Sequence, residues 1–353
     1  MTRSISYAHA VNEALSQAMK QDKNVICYGL GIPDPKGVFG TSSGLQEQFG
    51  SERVFDMPTS ENAMTGIAIG AALNGIRPVM THQRLDFFLL AMDQLVNNAA
   101  KWHYMFGGAS SIPITIRLIL GMGWGQGPTH SQNLQSWFAH IPGLKVVMPT
   151  TPEDAKGLLL SSIFDDNPVV FLEHRWLHNQ DGNVPENPSF RVPIGKAKIL
   201  RAGTQITIAG MSYMNIEALR AIAYLQTLNI SCELIDIRSF NPIDWNTIFN
   251  SVRKTGHLLV LDTGSETCSV AGEIIARVSM EVFSSLKAPP ARLALPDIPT
   301  PTSFALTKYF YKNAKDIVAE VAKQLHFDLP HEIPELEKKC PHDVPGNWFK
   351  GPF

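Results

Sequence analysis

The sequence predicts an α/β protein built from two parallel-sheet modules, and three observations support this. Short β-rich runs alternate with longer amphipathic stretches along the whole chain, the pattern of strands connected by covering helices. The run Ile112 to Leu120 (IPITIRLIL) is almost continuously apolar, as in a strand buried on both faces of a parallel sheet. A polar segment rich in Pro, Asn and Gly follows His178 and divides the 353 residues into two such alternations. A chain of this length exceeds what one simple core organises.

In chain order, Tyr7 to Gln21 reads as a helix with Val11, Leu15 and Met19 on one stripe. Val54 to Met57 reads as a strand. Ser60 is the expected N-cap of a helix through Asn74, closed by Gly75 and the Arg77-Pro78 stop. A strand is expected over Pro78 to His82, then one long helix over Asp86 to Tyr104 ending at Gly107-Gly108. After the Ile112 to Leu120 strand and a glycine loop come a strand at Leu144 to Met148, a helix capped at Thr150 or Thr151, and a strand at Val169 to Glu173. The second module has strands at Gln205 to Ala209, Cys232 to Ile237, His257 to Leu261 and Arg292 to Leu295. Helices at Asn215 to Leu228, Trp245 to Thr255 and Ala271 to Leu286 lie between them. The expected division is a first domain over 1–178, an irregular linker over 179–195, a second domain over 196–328 and a proline-rich tail over 329–353.

Composition narrows the function. Lys and Arg total 30 against 32 Asp and Glu, so there is no basic excess for nucleic acid or an anionic membrane. No run approaches the about 18 apolar residues of a membrane span, and the N-terminus lacks a signal peptide's apolar core. The four cysteines (Cys27, Cys232, Cys268, Cys340) form no CxxC pair, which argues against a disulfide framework and for a reducing, cytoplasmic setting.

Three features invite chemistry. The cluster from Gly121 to Gly127 follows a strand, but Gln126 stands where a dinucleotide-binding turn needs its third glycine. The loop ends on Pro128-Thr129-His130, and a glycine loop at the carboxyl end of a parallel strand is where α/β proteins place ligands. Glu61 heads a helix; taken alone, it is equally a first-turn carboxylate that complements the helix dipole. That helix carries small residues at Gly66 and Gly70, which allow close approach of another helix. His174 and His178 have the spacing of a metal pair but no third ligand, so zinc is rejected, as it is for His326, His331 and His342.

Longer motifs carry a resemblance. RVFDMPTSENAMTGIAIGAALNGIRPV, DQLVNNAAKWHYMFGG, GPTHSQNLQSWFAHIPGLKVVMPTTPEDAKGLL and DDNPVVFLEH resemble the beta subunit of the thiamine-diphosphate-dependent 2-oxoacid dehydrogenases. A looser likeness continues to about residue 325. The resemblance implies a pyrimidine-binding domain and a transketolase-type C-terminal domain. It implies an assembly of two alpha and two beta chains, with the diphosphate and its Mg2+ held mainly by the alpha chain; the GDG that marks that site is absent here. By the same likeness Glu61 hydrogen-bonds N1′ of the cofactor's aminopyrimidine, Phe87 stacks on that ring, and His130 faces the thiazolium and the incoming acceptor. Potassium bound by main-chain carbonyls of Ile114, Ser162, Ile163, Asp165 and Asn167 is implied too, as is a beta-beta contact through Gly66 and Gly70.

The implied activity is oxidative decarboxylation of a 2-oxoacid with acyl transfer to a lipoyl group of an acyltransferase. The chain departs from the family's pattern at Gly29 to Pro35, Gln83-Arg84-Leu85-Asp86, Lys101-Trp102-His103 and Thr263 to Cys268. Arg84 there binds either a substrate anion or a neighbouring chain. These departures keep a second reading open, a transketolase-like or acyloin-forming carboligase with an aldehyde or sugar acceptor. A non-catalytic scaffold is the third, and Glu61, Phe87 and His130 together argue against it.

Overall fold

The computed structural model describes residues 2–121, 126–330, 333 and 336. The first domain runs β1 (Thr2–Ser6), α1 (Tyr7–Gln21), β2 (Val25–Gly29), α2 (Leu45–Phe49), β3 (Val54–Phe55), α3 (Glu61–Leu73), β4 (Arg77–His82), α4 (Leu85–Phe88), α5 (Ala100–Met105), β5 (Thr115–Leu120), α6 (Gln135–Ala139), β6 (Lys145–Val147), α7 (Pro152–Ile163), β7 (Val169–His174) and β8 (Asp181–Pro185). The second runs β9 (Lys198–Arg201), β10 (Ile206–Gly210), α8 (Met214–Thr227), β11 (Cys232–Asp236), β12 (Ser239–Asn241), α9 (Trp245–Thr255), β13 (Leu258–Ser265), α10 (Val270–Glu281), β14 (Ala291–Leu295), α11 (Phe304–Phe310) and α12 (Ala314–Gln324).

The first sheet has seven strands in the order β12-β6-β7-β5-β4-β2-β3, all parallel except β12. Every residue of β5 and β7 is buried, which follows from helices on both faces and explains the nearly unbroken apolar run. One polar exception crosses that core: Arg117, 0% exposed, grips Glu173 with Nε and Nη2 at 2.6 and 3.0 Å and gives Nη1 to Thr81 at 3.1 Å. His178 Nε2 adds a contact to Glu173 at 3.2 Å. All three guanidinium nitrogens and both carboxylate oxygens thus have partners, the condition under which a buried ion pair is tolerated.

The second sheet orders its five strands β14-β13-β10-β11-β9, with only β9 antiparallel. The two sheets are not independent. After β11 the chain sends β12 across to pair antiparallel with β6 of the first sheet. Arg238 reinforces this crossing by donating Nη1 to Asp154 in the first turn of α7, at 2.7 Å.

Three expectations need correction. The linker is not irregular throughout: β8 falls inside it and pairs antiparallel with β1. Neither strand has the apolar alternation that marks a half-buried strand, so both escape a pattern reading. The long helix expected over Asp86 to Tyr104 is subdivided into α4, a 3-10 turn at Leu89–Ala91, a π-helical stretch at Gln94–Ala99 and α5. Asn97 and Asn98 in that stretch give their side-chain amides to Asp93 and Gln94. Ser60 stands at the N-cap of α3, yet its side chain makes no capping hydrogen bond. Of the tail, Leu329 and Ile333 pack on the second domain's core and Leu336 is buried in it, while Trp348, Phe349 and Phe353 lie outside the described residues. Among the described residues, no helix is long and apolar enough to cross a membrane.

At α7, the alternative caps resolve to Thr151, whose Oγ1 accepts from the Asp154 amide at 3.1 Å. Thr151→Ala is expected to cost about 1 kcal/mol, read as a lower denaturant midpoint at unchanged slope. An unshifted midpoint contradicts the assignment.

Candidate active site

Strands β3, β2, β4, β5 and β7 run parallel and end on one edge of the first sheet. Residues that follow them therefore gather there, as in other open α/β sheets that bind ligands beyond their carboxyl ends. Glu61 follows β3 as the first residue of α3 and is 4% exposed. Its carbonyl accepts from Thr65 Oγ1 at 2.8 Å, but its carboxylate accepts no hydrogen bond from any described residue. The helix beneath is fixed by the Tyr28 hydroxyl, which donates to the Met64 carbonyl at 3.1 Å while its ring stacks on Phe55 at 5.3 Å. With no donor among the described residues, this carboxylate at the head of α3 keeps its acceptor sites open for a donor from outside the chain.

Phe87, in α4 after β4, is 43% exposed. Its ring meets the His130 imidazole edge to face, with centroids 5.3 Å apart and planes at 87°. His130 is half-buried at the end of a 3-10 turn (Pro128–His130), with Thr129 Oγ1 3.1 Å from its Nδ1. The contact is held by a link with no local signal in the sequence: Asp86 Oδ1 accepts from the Gln132 amide at 3.3 Å and from its Nε2 at 2.8 Å. Asp86 thus ties the element carrying Phe87 to the loop carrying His130.

Two other histidines reach this edge. Burial pushes His82 and His174 down to about 3, so both stay neutral at physiological pH. His174 has a packing role, because Gly121 turns with φ +88° where a Cβ would stand 2.8 Å from the imidazole. Met122 to Gly125 of the glycine loop lie outside the described residues.

The second domain braces the loop from below. Gln135 Nε2 donates to Asp262 Oδ1 at 2.6 Å and to Thr263 Oγ1 at 3.2 Å. Between the two domains an open cleft of about 700 Å³ is lined by Pro128, Thr129 and Gln132 on one side and Gly264, Thr267 and Thr300 on the other. Space for a second reactant therefore opens beside His130.

Four of the carbonyls expected to hold potassium accept hydrogen bonds from protein donors. Arg77 Nη1 donates to the carbonyls of Ile163 (3.3 Å) and Asp165 (3.0 Å), the Ser162 carbonyl accepts from the Asp165 amide (3.2 Å), and that of Ile114 from the Val169 amide (3.0 Å). Asn167 joins them through its amide, which donates to Asp165 Oδ1 at 2.9 Å. A carbonyl oxygen has two lone pairs, so those of Ile114, Ile163 and Asp165 can take a further contact, whereas the Ser162 carbonyl also accepts from the Phe164 amide. Asp166 at 2.7 Å and Asp22 at 3.9 Å offset the Arg77 charge.

Gly70 is exposed, Gly66 half-buried and Ile67 59% exposed, so that face of α3 is uncovered on the single chain. His174 and His178 have protein partners: His174 Nδ1 accepts from the Trp176 amide, and His178 contacts Glu173.

Comparison with known proteins identifies the family. Residues 3–180 match the transketolase pyrimidine-binding domain and residues 195–317 the transketolase C-terminal domain. The chain is 40% identical over 335 residues to the beta subunit of an acetoin:2,6-dichlorophenolindophenol oxidoreductase of Cupriavidus necator, covering 92% of this chain and 98% of the relative. It is 38% identical over 325 residues to a pyruvate dehydrogenase E1 component subunit beta of Rickettsia felis, covering 92% and 99%. A split-gene transketolase, solved as an inactive beta4 tetramer, superposes with a TM-score of 0.74 at 21% identity over 92% of this chain and 99% of that one, which speaks for the fold. With both domains matched and full-length relatives at this identity, the chain belongs to the family of beta subunits of thiamine-diphosphate-dependent 2-oxoacid dehydrogenases.

Proposed function

We propose that this chain holds the pyrimidine end of thiamine diphosphate for the decarboxylation of a 2-oxoacid, and that a separate alpha chain grips the diphosphate and Mg2+. The observation that carries this is the Glu61 carboxylate, buried and without a donor, on the same sheet edge as the Phe87–His130 pair. When bound, the cofactor supplies a carbanion for the keto carbon and an electron sink for loss of carbon dioxide. Glu61 holds a proton at N1′ of the aminopyrimidine, and burial keeps water from competing for it. Phe87 offers the exposed aromatic face that a flat heteroaromatic ring stacks upon. His130, half-buried between the cleft-lining Thr129 and Ser131, moves a proton at the acceptor.

The acceptor in this reading is a lipoyl group of an acyltransferase that reaches His130 through the cleft. The working unit has two alpha and two beta chains in the cytoplasm, and the beta chains meet through the Gly66/Gly70 face of α3. A second reading, in which the acceptor or substrate is an acyloin, is favoured by the 40% identical relative named for acetoin. Reductive acylation of a lipoyl domain by the assembled complex with a panel of 2-oxoacids separates the two. Acylation is expected. A complex that decarboxylates 2-oxoacids but never acylates the lipoyl domain contradicts the first reading.

Potassium at the Ile114, Ser162, Ile163, Asp165 and Asn167 carbonyls is part of the proposal. Exchanging Na+ for K+ at constant ionic strength is expected to raise the melting temperature. Coincident melting curves contradict the site.

A further inference from the structure

Arg84 caps the N-terminus of α4, three positions before Phe87, and is 7% exposed. It makes no hydrogen bond or ion pair with any described residue, and its Nη1 is closed off from solvent with no acceptor. Close by stands a second buried guanidinium. Arg175, 1% exposed at the end of β7, gives Nη1 to Gln126 Oε1 at 3.1 Å. The ring of Phe39 lies 4.7 Å from the Arg175 guanidinium and 6.0 Å from that of Arg84. Burial first, and the Arg84 charge second, bring Arg175 down to about 9. Burial also lowers Arg84, with Asp86 acting in the opposite direction. Asp86 is the carboxylate that faces this pair, yet it forms no ion pair with Arg84 and spends Oδ1 on Gln132. Phe39 itself holds a left-handed backbone, φ +52°, which bulky side chains rarely adopt and which collects at ligand sites.

Arg84, desolvated on a ring it shares with a second cation and with no carboxylate fixed against it, calls for a negative charge from outside. An arginine awaiting an acidic side chain of another subunit is exposed on the free chain; Arg84 is already enclosed, so a small ligand suits it better. Its planar fork fits the paired oxygens of a carboxylate or phosphate. The departing carboxylate of a 2-oxoacid is a poor match. A fixed guanidinium would stabilise it in the ground state and withhold that stabilisation as the charge leaves.

We propose that Arg84, backed by Phe39 and Arg175, receives a second anionic group of the substrate, a carboxylate or phosphate remote from the 2-oxo group. This rests on the proposed function, and it distinguishes the chain from enzymes of neutral acyloins.

The test is thermal melting of the full chain, alone and assembled with its alpha chain, in chloride and then with inorganic phosphate or glutarate at equal ionic strength. At least one probe is expected to raise the wild-type melting temperature, phosphate alone indicating a phosphorylated substrate and glutarate alone a dicarboxylic one. Arg84→Met is expected to bind that probe about tenfold or more weakly, the scale of one charge-assisted hydrogen bond, and to melt no lower than wild type in chloride. Arg84→Lys, which keeps the charge and loses the fork, is expected to fall between them and serves if the Met variant fails to fold.

Three results overturn the proposal. One is that neither probe shifts the wild type, or that the variants respond as the wild type does. Another is that Arg84→Met and Asp86→Asn melt equally low in chloride, which makes Arg84 and Asp86 an internal pair. The third is that saturating thiamine diphosphate abolishes the shift in the assembled complex, which makes the anion the cofactor's own. Because melting involves no turnover, a complex inactive on all 2-oxoacids with the shift intact refutes the proposed function alone. An active complex without the shift refutes only the anion receptor.

Discussion

Glu61→Gln lowers turnover of the assembled complex by about two to four orders of magnitude, the range assigned to one positioned acid-base group. The amide keeps the volume of the side chain and its place at the head of α3, but it does not hold a proton at N1′ as a carboxylate does. Folding is spared. Glu61 is 4% exposed and its carboxylate takes no hydrogen bond from any described residue, so the isosteric amide breaks no contact of the folded chain. The cofactor-free variant is therefore expected to melt no lower than wild type, and subunit assembly to be retained. Loss of activity together with a lower melting temperature would assign Glu61 to structure.

His130→Ala carries the second large effect, about two to four orders of magnitude in kcat/KM for acyl transfer to the acceptor. The site's geometry predicts where this loss falls. The imidazole meets Phe87 edge to face at 5.3 Å and its chain neighbours Thr129 and Ser131 line the interdomain cleft, whereas Glu61 contacts neither His130 nor Phe87 by hydrogen bond. Removing His130 should thus leave cofactor affinity within a few-fold and spare the steps that precede the acceptor. Because the residue is half-buried in a short turn, stability is expected to change by about 0.5 kcal/mol or less. Single-turnover decarboxylation compared with acylation of a lipoyl domain checks this. Equal loss in both would place His130 with the cofactor rather than with the acceptor.

Legibility from sequence followed the strength of local signals. The bounds of α1 and α9 coincide with the expectation because each carries an apolar stripe between defined ends, Ser6 and Asp22 for the first, Asp244 and Gly256 for the second. The strands β1, β8 and β12 were hidden. They are five, five and three residues long and take their order from partners distant in sequence. Within the site, Glu61, Phe87 and His130 were placed by family motifs, while residue chemistry alone left Glu61 and His130 open between function and packing. The Asp86–Gln132 link, spanning 46 positions, and the convergence of Arg84 and Arg175 on Phe39 left no local trace, since each joins segments that only the sheet brings together. Arg84 stands out in the sequence as an unusual cation; its lack of an ion-pair contact among the described residues is visible only in three dimensions.

The central claim is that the Glu61 carboxylate engages the aminopyrimidine of a coenzyme whose other end is held elsewhere. Hydrogen-deuterium exchange at C2 of thiamine diphosphate in the assembled complex measures that engagement before any substrate reacts. The account predicts fast exchange in the wild type and exchange slowed by at least about a hundredfold in Glu61→Gln. Equal rates in the two proteins, with the coenzyme bound in both, would contradict it.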